Sequence, residues 1–215
     1  MNPILRRSSF FYVTSAVTYL GIMGRYMLTR DWTAFEIIPL FMPVWLVSAV
    51  LASEDGERYA FLRMLPVPDR AVVRAKLGLV LASAAFQWVL MTGAAVGRMG
   101  EGIAQPPTLV YLTGICSIGL LAAAGFQIAI WRHGMSRMKP TMIGAIVAGI
   151  AVAVIHLASL KNVDGWPALS AVGVVEWLGG APWISSAALI ATALLAFRAL
   201  MRVGIRVKAA SEAHL

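Results

Sequence analysis

The sequence predicts an all-α protein of six membrane-spanning helices, and three observations predict it. First, 60% of its 215 residues are hydrophobic and only 13% are charged, against ~45–50% and ~25% in soluble domains. The mean hydropathy is +0.78. Second, the apolar residues gather into six runs near the ~20 residues that cross a ~30 Å hydrocarbon layer. Third, the basic residues concentrate in alternate connections between those runs. The composition excludes a disordered chain, whose low hydrophobicity prevents a core from forming. A single cysteine excludes a disulfide framework and a cysteine-based zinc site.

The runs are Phe10–Leu28, Thr33–Ala52, Leu77–Gly97, Thr108–Trp131, Thr141–Leu160 and Trp183–Val203. Apolar residues lie on all sides of each, as expected for helices that face both lipid and one another. Helices are required because an open sheet edge in lipid leaves backbone groups without partners. The first run follows Arg6 and Arg7, as a signal peptide would. It is followed by Arg25 and Arg30 rather than a small-residue cleavage site, so it is read as a retained helix. The whole chain, 1–215, reads as one transmembrane domain.

The net charge of +8 gives the orientation. Arg6 and Arg7 precede the first span. Arg58, Arg63, Arg70, Arg74 and Lys76 lie between the second and third, and Arg132, Arg137 and Lys139 between the fourth and fifth. Arg198, Arg202, Arg206 and Lys208 end the chain, whereas the other side holds Arg25, Arg30, Arg98 and Lys161. Basic residues favour the cytoplasmic side, so both termini are expected there. The charge excess therefore marks topology and gives no reason to expect nucleic acid as a partner.

The longest hydrophilic stretch, Ser53–Arg70, joins the second and third spans and holds four of the ten acids. Ala60, Phe61, Leu62, Met64 and Leu65 share one arc of a helical wheel, opposite Tyr59 and Arg63. Pro66 and Pro68 end this short amphipathic helix, and Asp69 is placed to cap the next. Two readings fit these residues. One is an interfacial helix on anionic headgroups; the other is a docking surface for a cytoplasmic partner.

The run Glu54-Asp55-Gly56-Glu57-Arg58, continued by Leu62-Arg63-Met64-Leu65-Pro66-Val67-Pro68-Asp69-Arg70 and reaching Lys76, resembles the cytoplasmic loop of ABC-2 type permeases. These are the membrane subunits of one class of ATP-binding-cassette exporters. The Pro-Val pair, the arginine four residues after Pro66 and the lysine at 76 match that family's loop, whereas Pro68 stands where the family usually has Ser or Thr. The resemblance implies a coupling helix at 53–76 that contacts an ATPase through Glu54, Asp55, Glu57, Arg58, Phe61, Leu62, Leu65, Pro66, Arg70 and Lys76. It also implies a second copy or a related permease as partner, ATP and Mg held by the ATPase, and a bacterial cytoplasmic membrane. Export as the direction of transport rests on the same resemblance. The chain has no Gly-x-x-x-x-Gly-Lys-Ser/Thr phosphate loop, so a separate subunit would be the motor. In the same family the region corresponding to 161–182 holds short re-entrant helices, and this loop looks like them; a Trp-anchored interfacial loop is the other reading.

The expected translocation path includes Gln87 in the middle of the third span, with Glu36, Pro39 and Pro43 in the second. Both prolines remove a backbone hydrogen bond and favour a bend. Gln87 also suits a helix-bridging hydrogen bond, and Glu36 suits either an ion pair with Arg25 or, like Arg25, reaching to the interface. The small-residue positions Gly144, Ala145, Ala148 and Gly149 allow close helix contact, either internally or between permeases. Cys116 suits small apolar packing. The polar mid-span groups Gln87, Thr92 and Ser117 fit lipid-like, peptide or drug cargo alike. Two other classes compete: a membrane-embedded enzyme such as a lipid headgroup transferase, and an accessory subunit with no substrate path. The enzyme needs clustered carboxylates or a His/Glu constellation, and the only acid cluster is Glu54, Asp55 and Glu57.

Overall fold

The computed structural model describes residues 41–54, 68–100, 107–162 and 181–213, with helical residues at 13, 17, 20 and 21. Among the described residues all regular secondary structure is α-helical. The helices are α1 (Phe41–Glu54), α2 (Asp69–Gly100), α3 (Pro107–His133), α4 (Met135–Asn162) and α5 (Pro182–Ala213). Three of them are long and apolar enough to cross a membrane, over Arg70–Gly97, Leu109–His133 and Trp183–Ala210. The fifth predicted span lies inside the 28-residue α4. The first span, and the second span before Phe41, fall outside the continuous described segments.

α2 to α5 each extend past their apolar runs at the end that carries the cations. α2 begins at Asp69, eight residues before Leu77, and α5 continues to Ala213, well past Val203. Hydropathy stops at the first arginine, but helical hydrogen bonding does not, and Arg, Lys and Ala are strong helix formers. At the start of α2 the Pro68 carbonyl accepts from the amides of Ala71 at 2.8 Å and Val72 at 3.3 Å. Pro68 therefore occupies the capping position, and Asp69 becomes the first helical residue rather than the cap.

The basic connection expected between the fourth and fifth spans is one residue long. Gly134 adopts φ +82°, a left-handed conformation that glycine takes without penalty. Its amide donates to the Ile130 carbonyl at 2.8 Å, closing α3, and its carbonyl accepts from Met138 at 3.3 Å, opening α4. Arg132 thus ends one helix, while Arg137 and Lys139 lie early in the next. Pro140, expected before the fifth span, is inside α4.

α3 is the centre of the bundle and packs against each of the other four helices. Its neighbours fix the register. A β-carbon on Gly204 of α5 would sit 3.1 Å from Cζ3 of Trp131, 3.4 Å from Cγ1 of Ile128 and 3.5 Å from Cγ1 of Val73. The side chains of Trp131 and Ile128 from α3 and Val73 from α2 therefore pack directly on the backbone of α5 at this glycine. Gly119 of α3 brings α1 equally close: a β-carbon would lie 3.1 Å from the Cα and 3.3 Å from the N of Pro43, and 3.2 Å from Cδ1 of Leu46. The core runs along α3 from Leu109 to Trp131 and includes Met42, Leu46, Leu77, Met91, Met142 and Phe197.

Candidate functional site

The bundle has two distinct parts: a basic end, and a core that holds polar groups without partners. The start of α2, the end of α3, the start of α4 and the end of α5 lie together. They carry Arg70, Arg74, Lys76, Arg132, Arg137, Lys139, Arg198, Arg202, Arg206 and Lys208. Most of the cations carried by the described helices lie at this end. The far ends of α2 and α4 hold only Arg98 and Lys161. The cations of α2, α3, α4 and α5 are thus gathered toward one end of the bundle.

Of the residues expected to contact a motor, Arg70 is exposed on the first turn of α2. Lys76 is not on that surface: it is only 5% exposed and turned into the bundle, one turn above the buried Val73. Lys208 of α5 is buried in the same way. Arg70 and Arg74 share the exposed side of α2, and Val73 and Lys76 share the side facing α3 and α5. A residue-by-residue reading of charge cannot make that division, because only packing decides which stripe is covered. Glu54 closes α1. Asp55, Glu57, Arg58, Phe61, Leu62, Leu65 and Pro66 lie outside the described residues, as do Glu36, Pro39 and the loop 163–180.

Gln87 lies 18 residues along α2 from Asp69, or about 27 Å. It is fully buried, and among the described residues neither its Oε1 nor its Nε2 has a hydrogen-bond partner. It faces protein, as expected of an amide in a span, but the expected helix-bridging hydrogen bond is absent. The bridge is made one residue later, where Trp88 Nε1 donates to Thr113 Oγ1 at 3.0 Å. Nearby, Cys116 Sγ donates to the Ala84 carbonyl at 3.3 Å, so the buried cysteine also ties α3 to α2. Both contacts link antiparallel helices across the same crossing, and Gln87 lies between their α2 positions.

Thr92 Oγ1 and Ser186 Oγ are also buried without a partner among the described residues. The antiparallel register through Val73 and Gly204 brings Ser186 level with Met91 and Thr92. Other hydroxyls return to their own helices: Ser48 to the Val44 carbonyl, Ser117 to Thr113 and Thr192 to Ala188, each at 2.8 Å. Ser117, expected among the path-lining groups, is thus satisfied within its own helix. Gln87, Thr92 and Ser186 remain with unused hydrogen-bonding capacity toward the end opposite the cations. Leaving such groups unpaired costs ~1–3 kcal/mol each, so they are the natural places for a ligand or water to bind.

Pro43 lies in the first turn of α1, where a missing amide donor costs little, and its backbone is the surface against which Gly119 packs. Of the small-residue positions on α4, Gly149 is used internally, facing Cγ2 of Val44, whereas Gly144, Ala145 and Ala148 are exposed. Among the described residues no group of three or more His, Cys, Asp or Glu could hold a metal ion. The chain matches no family model, no curated protein and no solved structure.

Proposed function

We propose that this chain is the membrane-spanning permease subunit of an ATP-binding-cassette exporter, working with a separate ATPase and with a second copy or a related permease. Its main support is α2. This helix starts directly behind Pro66 and Pro68 and runs unbroken for 32 residues, about 48 Å, past the unpartnered amide of Gln87. A rigid rod of that length carries a displacement at its loop end to the polar core, and the resemblance of the loop to a coupling segment supplies the source of the push. Closure of two ATPases around ATP would drive the amphipathic segment at 53–66. α2 would then tilt against α3, opening and closing the region of Gln87, Thr92 and Ser186 to alternate sides. ATP and Mg belong to the partner. The six-span topology, re-entrant helices within 161–182 and a bacterial cytoplasmic membrane complete the proposal.

The test is copurification with a candidate ATP-binding-cassette ATPase, followed by ATP hydrolysis in proteoliposomes. A stable complex is expected, and Glu57→Ala with Arg70→Ala should weaken it by ~10–30-fold. Arg70 is exposed, so its loss leaves the bundle intact. No complex, or unchanged hydrolysis and transport in the double variant, would refute the proposal.

A further inference from the structure

α5 is the least covered of the three candidate spans: only 17% of its apolar window is buried. Its buried residues, Ser186, Ala193, Phe197, Gly204 and Lys208, fall on one side of a helical wheel. At 100° per residue, Ile184, Leu194, Leu195, Arg198, Arg202 and Arg206 fall within an arc of about 120° on the other side. Ile184 is 73% and Leu195 68% exposed, and all three arginines are exposed. One outward face of α5 is therefore apolar in its first half and carries a guanidinium every turn in its second.

The depth of the first arginine gives this face its meaning. The charge-free segment from Trp183 to Phe197 is 15 residues, about 22 Å of helix, whereas the hydrocarbon layer is ~30 Å thick. With Trp183 at one interface, Arg198 falls short of the other, inside the leaflet at the basic end. It faces outward and has no acid or hydrogen-bond partner among the described residues. A guanidinium there lowers its free energy by reaching toward the headgroups, and phosphate is the group whose geometry it pairs with bidentately. Arg202 and Arg206 follow at ~6 Å intervals along the axis, crossing the interface itself. A soluble partner cannot reach Arg198 at that depth, but a lipid phosphate can.

We propose that the outward face of α5 is a binding site for an anionic phospholipid of the leaflet at the basic end. Arg198 and Arg202 clamp its phosphate, Arg206 adds charge at the surface, and Leu194 and Leu195 lie along its acyl chains. The site is independent of any ATPase, so it stands or falls separately from the transport reading.

The experiment is native mass spectrometry of the full chain. It is purified from nanodiscs of phosphatidylcholine containing phosphatidylglycerol and challenged with rising detergent. Arg198→Gln with Arg202→Gln is compared with wild type and with Arg132→Gln plus Arg137→Gln, which removes two exposed arginines from the same end. The wild type and the α3–α4 control are expected to retain phosphatidylglycerol in preference to phosphatidylcholine. The α5 variant should lose about fivefold in retention per arginine removed. Excess inorganic phosphate should leave the wild-type adduct in place. Equal retention of both lipids by wild type, equal loss in the α3–α4 control, or displacement by free phosphate would each overturn the proposal. The melting temperature of every variant in phosphatidylcholine alone should match wild type, which separates lost lipid binding from lost folding.

Discussion

Replacing Gly119 by alanine adds one methyl group at the point where α1 crosses α3. That carbon would sit 3.1 Å from the Cα and 3.3 Å from the N of Pro43, against the ~3.5–4.0 Å of an unstrained carbon contact. The obstruction is the backbone of a proline, which has no rotamer to change, so α1 must shift as a body by a few tenths of an ångström. Overpacking of this kind costs ~1–3 kcal/mol. Alanine also favours the helix over glycine by ~1 kcal/mol, which masks part of the loss. Gly114 on the same helix separates the two effects, because a β-carbon there meets nothing within 4 Å. Gly114→Ala gains the helix term alone, so the difference between the two variants is the contact term. Thermal melting in detergent, followed by fluorescence of the seven tryptophans, should place Gly119→Ala about 2–12 °C below Gly114→Ala. If Gly119→Ala melted at or above Gly114→Ala, the backbone contact between α1 and α3 would be wrong.

Gln87→Leu removes an amide that is buried without a partner and should raise stability by ~1–3 kcal/mol, while substrate-stimulated ATP hydrolysis of the complex falls; a lower melting temperature would contradict the orphan amide. Gly149→Ala would place a carbon 2.5 Å from Cγ2 of Val44 and should lower the melting temperature. Val44→Ala in the same chain should recover most of that loss, with a coupling energy of ~0.5–3 kcal/mol by double-mutant cycle. Trp88→Phe removes the donor to Thr113 and should cost ~0.5–1.5 kcal/mol beyond lost packing. Once Trp88 is phenylalanine, Thr113→Val should cost less than it does in the wild-type chain.

The runs Leu77–Gly97, Thr108–Trp131 and Trp183–Val203 locate three of the long helices because burial in lipid leaves an unbroken apolar record in sequence. Their ends are less legible. Arg70, Arg74, Arg206 and Lys208 look like loop residues to a hydropathy reading, yet they continue the helices, since arginine and lysine maintain helical hydrogen bonding. The face each residue occupies is not legible at all. Lys76 and Arg74 are two residues apart and both cationic, but one is inside the bundle and the other outside. Gly119 carries no local signal that distinguishes it from Gly114; its contact with Pro43 depends on two helices meeting 76 residues apart. Gln87 stands out in sequence as a lone amide in a span, but its missing partner emerges only once Trp88 is seen to take Thr113. The proposed lipid site shows the same division. The arginine spacing of four is visible in sequence, while the outward direction of that stripe depends on Phe197 and Gly204 docking onto α3.

The single-residue turn at Gly134 bears on how the chain is assembled as it is made. Loop closure costs entropy that grows with loop length, so α3 and α4 form a helical hairpin with almost no such penalty. α3 already presents the surfaces on which α1 and α2 rest. Synthesis through Asn162 therefore supplies all the partners for contacts among α1 to α4, and α5 follows them in the chain. One surface must wait for it: the side of α3 around Ile128 and Trp131, with Val73 beside it, stays uncovered until Gly204 arrives. α1 and α2 thus wait for α3 before most of their contacts can form, and α5 docks through Gly204 onto a surface that the earlier helices have already built.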